Sequence, residues 1–149
     1  MRSICKTALL AAVLLLSGCA TGYGKMGFTG GYSEVDGPGK LIEVNFYGNG
    51  FIRPDRVEIY LLYRAAEVTK LRGKRYMSVY QTIETAIADR PITGPSAESV
   101  GGKPFGKVYL LLRDGMTDGA LDADEVIARY DAIVKAPVNA GSAKQGKAR

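Results

Sequence analysis

The feature that most limits what this chain can fold into is an apolar run near its N-terminus. Residues 7–16 carry no charge, and the basic residues Arg2 and Lys6 precede them. A helix of that length is too short to cross a hydrocarbon core of about 30 Å. A short apolar run behind a basic start is typical of a secretory signal peptide. We therefore expect residues 1–18 to be removed, which leaves 131 of the 149 residues for the mature chain.

The run ends in Leu16-Ser17-Gly18-Cys19, a sequence that resembles the lipobox of bacterial lipoproteins. The resemblance implies cleavage before Cys19, a diacylglycerol on its thiol and an acyl chain on the new amino terminus. Such an anchor is stable, because each buried CH₂ contributes about 0.8 kcal/mol. Ala20 stands where Asp would resemble an inner-membrane retention signal. The outer membrane is therefore favoured, with the domain facing the periplasm. The alternative is an ordinary secretory signal with a chance Cys.

The composition excludes several classes of catalytic site. The chain has no His and only two Cys, of which Cys5 leaves with the signal peptide and Cys19 carries the lipid. A Ser-His-Asp triad, a His-ligated zinc and a thiol nucleophile in the mature chain are therefore excluded. No GxSxG, HExxH or phosphate-loop motif occurs. We expect a protein that is not an enzyme, and a hydrolase with a site assembled across the fold is the least favoured alternative.

The net charge gives no argument for nucleic-acid binding. Removal of Arg2 and Lys6 lowers the formal charge from +5 to +3. The last fifteen residues carry four basic residues and no acidic one, which leaves −1 for residues 19–134. A basic patch on a folded surface is the usual mark of a nucleic-acid-binding domain, so we expect no nucleic-acid partner.

The mature chain divides into three parts by composition. Residues 19–28, Gly-rich after the acylated Cys, predict a flexible tether. Residues 29–135 are long enough for one domain with a real core. Residues 136–149, rich in Ala, Gly, Ser and Lys, predict a disordered basic tail. That tail is expected to be solvated, and contact with anionic lipid or cell-wall polymer is the alternative.

Hydrophobic patterns predict a β-β-α-β-β-α order, and so an α+β two-layer sandwich with a mixed or antiparallel sheet. The residues 36–39, Asp-Gly-Pro-Gly, predict a hairpin turn between the first two strands. The predicted elements are strands over 32–35 and 40–47, a helix over 54–72, strands over 75–84 and 107–113, and a helix over 122–134, with a long loop over 88–106.

The first predicted helix carries an Arg in the middle of an apolar stripe. The stripe comprises Val57, Tyr60, Leu61, Ala65, Val68 and Leu71. A buried, unpaired Arg64 would be very costly, so it needs a carboxylate. Glu67, one helical turn on, and Glu34, on the first strand, are the candidates. An internal ion pair is favoured over an anion site. A second apolar patch, formed by Ile59, Leu62, Tyr63 and Ala66, is expected to pack against the long loop or the second helix rather than against a partner.

Four short motifs resemble those of an uncharacterised family of proteobacterial lipoproteins. They are the lipobox, Gly31-Tyr32-Ser33-Glu34, Val44-x-Phe46-x-Gly48-Asn49-Gly50, and Leu61-Leu62-x-Arg64-Ala65-Ala66-Glu67. The resemblance covers roughly residues 30–84 and implies a small envelope lipoprotein with no assigned activity.

An acidic loop provides the one ligand-like spacing. On a twelve-residue calcium loop, Asp114, Asp118 and Asp122 take positions 1, 5 and 9, and Glu125 takes position 12. Met116 at position 3 offers no oxygen, and a strand precedes the loop where a helix would be expected. Asp122 is also a natural helix N-cap, with Glu125 three residues later. We therefore expect no cofactor, with Ca²⁺ as the alternative.

Taken together, the sequence predicts a membrane-anchored lipoprotein that acts as a non-enzymatic binding or structural module of the cell envelope. An envelope protein or a cell-wall polymer is its expected partner. The main alternative is a calcium-responsive binding module that uses residues 114–125.

Overall fold

The structure is a computed structural model that describes residues 20–138. Cys19, the predicted signal peptide and residues 139–149 of the predicted tail lie outside the described residues. In chain order the elements are β1 (Gly31–Asp36), β2 (Leu41–Tyr47), α1 (Pro54–Leu71), β3 (Tyr76–Tyr80), α2 (Ile83–Ile87), β4 (Glu98–Val100), β5 (Lys103–Arg113), β6 (Leu121–Asp122) and α3 (Ala123–Lys135). The predicted α+β class is confirmed, and the arrangement is consistent with a two-layer sandwich.

The strands form one antiparallel sheet in the order β1-β2-β5-β3-β6, and β4 pairs with the start of β5. The register places Val44 opposite Val108 and Ile42 opposite Leu110. Because side chains alternate along a strand, these residues share one face of the sheet. All four are buried, so the alternation predicted for the second strand is confirmed.

Helix α1 covers this face of the sheet and begins where the sequence predicts. Pro54 occupies the first turn, and the helix ends at Leu71, one residue before the predicted end. Packing against β5 is close, because an added Cβ on Gly106 would lie 2.5 Å from a methyl group of Leu61. Leu71 itself is 74% exposed, so the predicted apolar stripe ends one turn earlier, at Val68.

Helix α3 lies beside α1 and covers its second apolar patch. Leu62, Tyr63 and Ala66 are all buried, and the Tyr63 hydroxyl donates to Asp131 of α3 at 2.8 Å. The prediction that this patch packs within the domain is confirmed.

The strand predicted over residues 75–84 is longer than the strand in the structure. β3 stops at Tyr80, and Thr82 begins the short helix α2. The Thr82 hydroxyl accepts from the backbone N–H of Thr85, and the Thr85 hydroxyl accepts from the backbone N–H of Thr82. This reciprocal capping box satisfies two amides locally and overrides the alternating pattern.

The long loop predicted over residues 88–106 also needs correction. It contains β4, and β5 starts at Lys103, four residues earlier than predicted. Gly101 and Gly102 join the two strands with φ of +58° and +75°. Positive φ at both central positions is what a tight hairpin turn requires, so the glycines that suggested a loop form a turn.

Part of the segment predicted as a tether, residues 19–28, contacts the domain. Thr21 is only 2% exposed, and Tyr23 packs against the core. At the other end, Val138 also packs against the core, and Arg56 donates to the carbonyl of Ala136 at 2.9 Å. The folded domain therefore extends beyond the predicted bounds 29–135 at both ends.

Candidate functional site

The buried cation of α1 lies between two carboxylates from different elements. Arg64 donates through Nη2 and Nε to the two carboxylate oxygens of Glu34, at 2.7 and 3.2 Å. Its Nη1 donates to Oε2 of Glu67 at 2.8 Å. The Arg64 side chain is 8% exposed, against 32% for Glu34 and 29% for Glu67. These are the two partners that the sequence analysis named.

Two tyrosines complete the cluster. The Arg64 guanidinium lies 4.1 Å from the ring centre of Tyr32 on β1, a cation–π contact. The hydroxyl of Tyr23 donates to Oε2 of Glu67, the same oxygen that Arg64 contacts. The Tyr23 ring also packs edge-on against Tyr60 and Tyr63 at about 5 Å between centroids. We call these five groups the Arg64 cluster: Tyr23, Tyr32, Glu34, Arg64 and Glu67.

The electrostatics of the Arg64 cluster keep Arg64 charged and Tyr23 neutral. Burial alone would lower the pKa of Arg64, but its hydrogen bonds to Glu34 and Glu67 raise it. Burial, and then the hydrogen bond to Glu67, raises the pKa of Tyr23 well above its ordinary value. The charged groups thus pair with one another, and the tyrosine serves as a hydrogen-bond donor.

The Arg64 cluster joins three parts of the chain: the segment before β1, β1 itself and α1. A shallow depression of about 280 Å³ lies beside it, lined by Lys25, Met26 and Glu34 among others. Arg64 does not line this depression. The arrangement therefore suits a structural role better than an anion site, because the charge of Arg64 is already paired with Glu34 and Glu67.

A second set of contacts fixes the start of the described chain. The Thr21 hydroxyl donates to the carbonyl of Thr29 and accepts from the backbone N–H of Asn49, at 2.5 and 2.9 Å. The backbone N–H of Thr21 donates to Oδ1 of Asn49 at 3.2 Å, and that oxygen also accepts from the N–H of Phe51. Thr21 therefore lies between the turn at 27–30 and the loop after β2.

The four residues of the predicted calcium loop have other partners or stand apart. Asp114 pairs with Lys74. Asp122 caps α3 by accepting from the N–H of Asp124, and it also accepts from Arg75 at 2.8 Å. Within residues 20–138 no group of three or more acidic side chains could hold a metal ion. The geometry lends no support to calcium binding at Asp114, Asp118, Asp122 and Glu125, which stays a prediction.

A cleft of about 320 Å³ lies on the sheet face opposite α1, beside the start of α2. Phe105, Lys107 and Tyr109 of β5 line its floor, and Gln81 and Glu84 line one side. Gln81, the residue after β3, joins β5 to the segment before β4: its side chain donates to the carbonyl of Lys107 and accepts from the backbone N–H of Ser96. The cleft was not predicted, because Ser96, Glu98 and Phe105 fall in the loop expected over residues 88–106, whereas β5 already includes Phe105.

Comparisons with known proteins do not assign this chain to a class. No protein-family model matches the chain, and no curated protein or solved structure matches it. The resemblance to a lipoprotein family therefore stays a prediction. Helices in the described part of the chain are all too short or too polar to cross a membrane.

Proposed function

We propose that this chain is a lipoprotein of the bacterial envelope, anchored through Cys19, whose α+β domain acts as a binding or structural module on the periplasmic face of the outer membrane. The lipobox at 16–19 supports the anchor, and Ala20 supports the choice of membrane. We also propose membership of the lipoprotein family that shares the four motifs. Two of these motifs supply Glu34, Arg64 and Glu67 to the Arg64 cluster.

The observation that supports the proposal best is that the first contacts of the folded domain lie very close to Cys19 in the sequence. Thr21, two residues after Cys19, is buried between two loops. Two residues span at most about 7 Å, so an acylated Cys19 would hold the domain directly at the bilayer surface. A chain cut at this point retains every contact of Thr21 and Tyr23 described above.

A role in binding rather than catalysis is supported by the way the polar groups are used. Arg64, Glu34 and Glu67 pair with one another. In the described part of the chain, every buried polar side-chain atom has a hydrogen-bond partner. The cleft on the open sheet face, with Phe105 and Tyr109 on its floor, provides a surface where a peptide or polymer would dock.

The chain offers its own matched control for the anchor. The full chain is expressed in a two-membrane bacterium, and the membrane-bound product is measured by intact mass together with its Cys19→Ser and Cys5→Ser variants. We expect the wild type and Cys5→Ser to lose residues 1–18, gain acyl chains and fractionate with the outer membrane. Cys19→Ser should carry no acyl chain. An unacylated wild type, or acylation that survives in Cys19→Ser, would refute the anchor.

A further inference from the structure

One end of the domain combines the point of anchoring with exposed apolar side chains. Thr21 holds the turn at 27–30 on one side and the loop containing Phe51 on the other. Phe28, at the tip of that turn, is fully exposed, and Phe51 is 43% exposed. Single exposed apolar residues are ordinary, but Thr21 ties the two segments that carry these rings to the same end of the domain.

The β4–β5 turn lies at the same end of the domain. The N–H of Gly48, just before Asn49, donates to the carbonyl of Pro104 at 2.7 Å, so the turn lies beside the loop after β2. Val100, the last residue of β4 before this turn, is 69% exposed. We call the surface formed by Met26, Phe28, Phe51 and Val100 the anchor end.

Three basic side chains are close in sequence to residues of the anchor end. Lys25 and Lys103 are exposed, and Arg53, which pairs with Asp55, keeps 57% of its side chain exposed. Exposed apolar rings within a set of basic residues suit the interface of an anionic bilayer, where the rings insert between headgroups and the cations meet phosphate.

From this placement we propose that the anchor end docks on the lipid bilayer, with Phe28 and Phe51 inserted at headgroup level. This proposal rests on the proposed function, because the acylated Cys19, two residues from Thr21, brings this end and no other to the membrane. The opposite end, where α1 finishes at Leu71, lies about 27 Å away along the 18-residue helix. The domain would thus stand on the membrane in one orientation, with the cleft accessible from the periplasm.

The test uses the fact that the chain contains no Trp. The acylated full-length product is reconstituted in vesicles of phosphatidylethanolamine and phosphatidylglycerol, with and without brominated acyl chains. Phe28→Trp and Phe51→Trp report the anchor end. Leu71→Trp, at an exposed apolar position on the far end, is the matched control. We expect the first two variants to show blue-shifted emission and to lose most of it in brominated vesicles, while Leu71→Trp keeps its emission.

Flotation of the vesicles separates this proposal from the anchor. In one outcome the protein floats with the vesicles but both anchor-end probes keep their emission. That result would overturn docking and leave the lipid anchor standing. It would indicate a protein partner for the anchor end. Equal loss of emission in all three variants would also overturn docking in one orientation. Protein that neither carries acyl chains nor floats would refute the proposed function and the docking that rests on it.

Discussion

Replacement of Arg64 by Met is the perturbation whose outcome the structure defines most closely. The Met side chain has a similar length but no charge, so Glu34 and Glu67 are left facing each other without their shared cation. Removal of one partner from a buried ion pair costs about 3–5 kcal/mol. The carboxylates here are partly exposed, at 32% and 29%, so solvent screening places the expected loss near the lower value, about 3 kcal/mol.

The residue that caps the C-terminus of the same helix supplies a matched control. Arg72 lies eight residues further on and pairs with Asp36 at 3.3 Å, so each arginine contacts an acidic residue of β1. The Arg72 and Asp36 side chains are 54% and 83% exposed. An exposed ion pair contributes less than about 1 kcal/mol. Arg72→Met therefore removes a similar pair from a solvated site.

The assay is thermal and urea unfolding of the three proteins, followed by circular dichroism. A loss of about 3 kcal/mol lowers the melting temperature of a domain of this size by roughly 10 °C, so Arg64→Met should melt that far below the wild type. Arg72→Met should stay within about 3 °C of it. Equal melting temperatures for the two variants would refute the structural role assigned to Arg64.

Three further predictions concern single groups. Tyr23→Phe removes the hydroxyl that donates to Glu67 but keeps the ring, so urea unfolding should show a loss of about 2 kcal/mol, smaller than that of Arg64→Met; an unchanged midpoint would contradict the hydrogen bond. Gly30→Ala places a Cβ 2.1 Å from the Tyr47 carbonyl oxygen at φ +109°, whereas Gly39→Ala, at φ +64°, has open space; thermal melting should show a much larger loss for Gly30→Ala, and equal losses would refute the close approach. Burial alone would raise the pKa of Asp122, but its hydrogen bond from Arg75, with the capping N–H of Asp124, holds that pKa below the ordinary 3.8. Its stabilisation is therefore present above pH 3.8 and lost as the pH falls through the lowered pKa. Urea midpoints from about pH 5 to about pH 2 should fall less in Asp122→Asn than in the wild type, and parallel profiles would contradict this.

Elements whose pattern is local could be predicted from the sequence. In β2, Ile42 and Val44 alternate with polar residues, and α1 carries an apolar stripe behind Pro54; both elements form within one residue of the expected bounds. Hydrophobic periodicity reports one face of one element, and no distant contact is needed to interpret it.

The segment after Cys19 could not be predicted in this way. A Gly-rich composition is compatible both with a flexible tether and with a segment that packs closely against another backbone, so it does not distinguish them. The contacts that decide the matter join Thr21 to Asn49 and Tyr23 to Glu67, positions 28 and 44 residues apart. A pattern within one segment carries no information about such distant partners.

The Arg64 cluster and the acidic loop show when a sequence pattern predicts a side-chain contact and when it does not. An Arg within an apolar stripe requires a carboxylate, and that requirement sufficed to name Glu34 before its position was known. Spacing alone raised calcium binding by Asp114 and Asp122 as an alternative, which stays a prediction. Their side chains instead meet Lys74 and Arg75, because the direction of a side chain depends on the strand or cap that holds it.

Amide hydrogen exchange at the start of the proposed mature chain is the decisive measurement. Thr21 is buried in the domain, so the proposed anchor at Cys19 would adjoin the fold without a flexible spacer. The amides of Thr21 and Asn49, which donate to each other's side chains, should exchange as slowly as those of β1. Exchange at the rate of an unfolded chain over residues 20–24, with α1 still protected, would contradict the account and restore the tether.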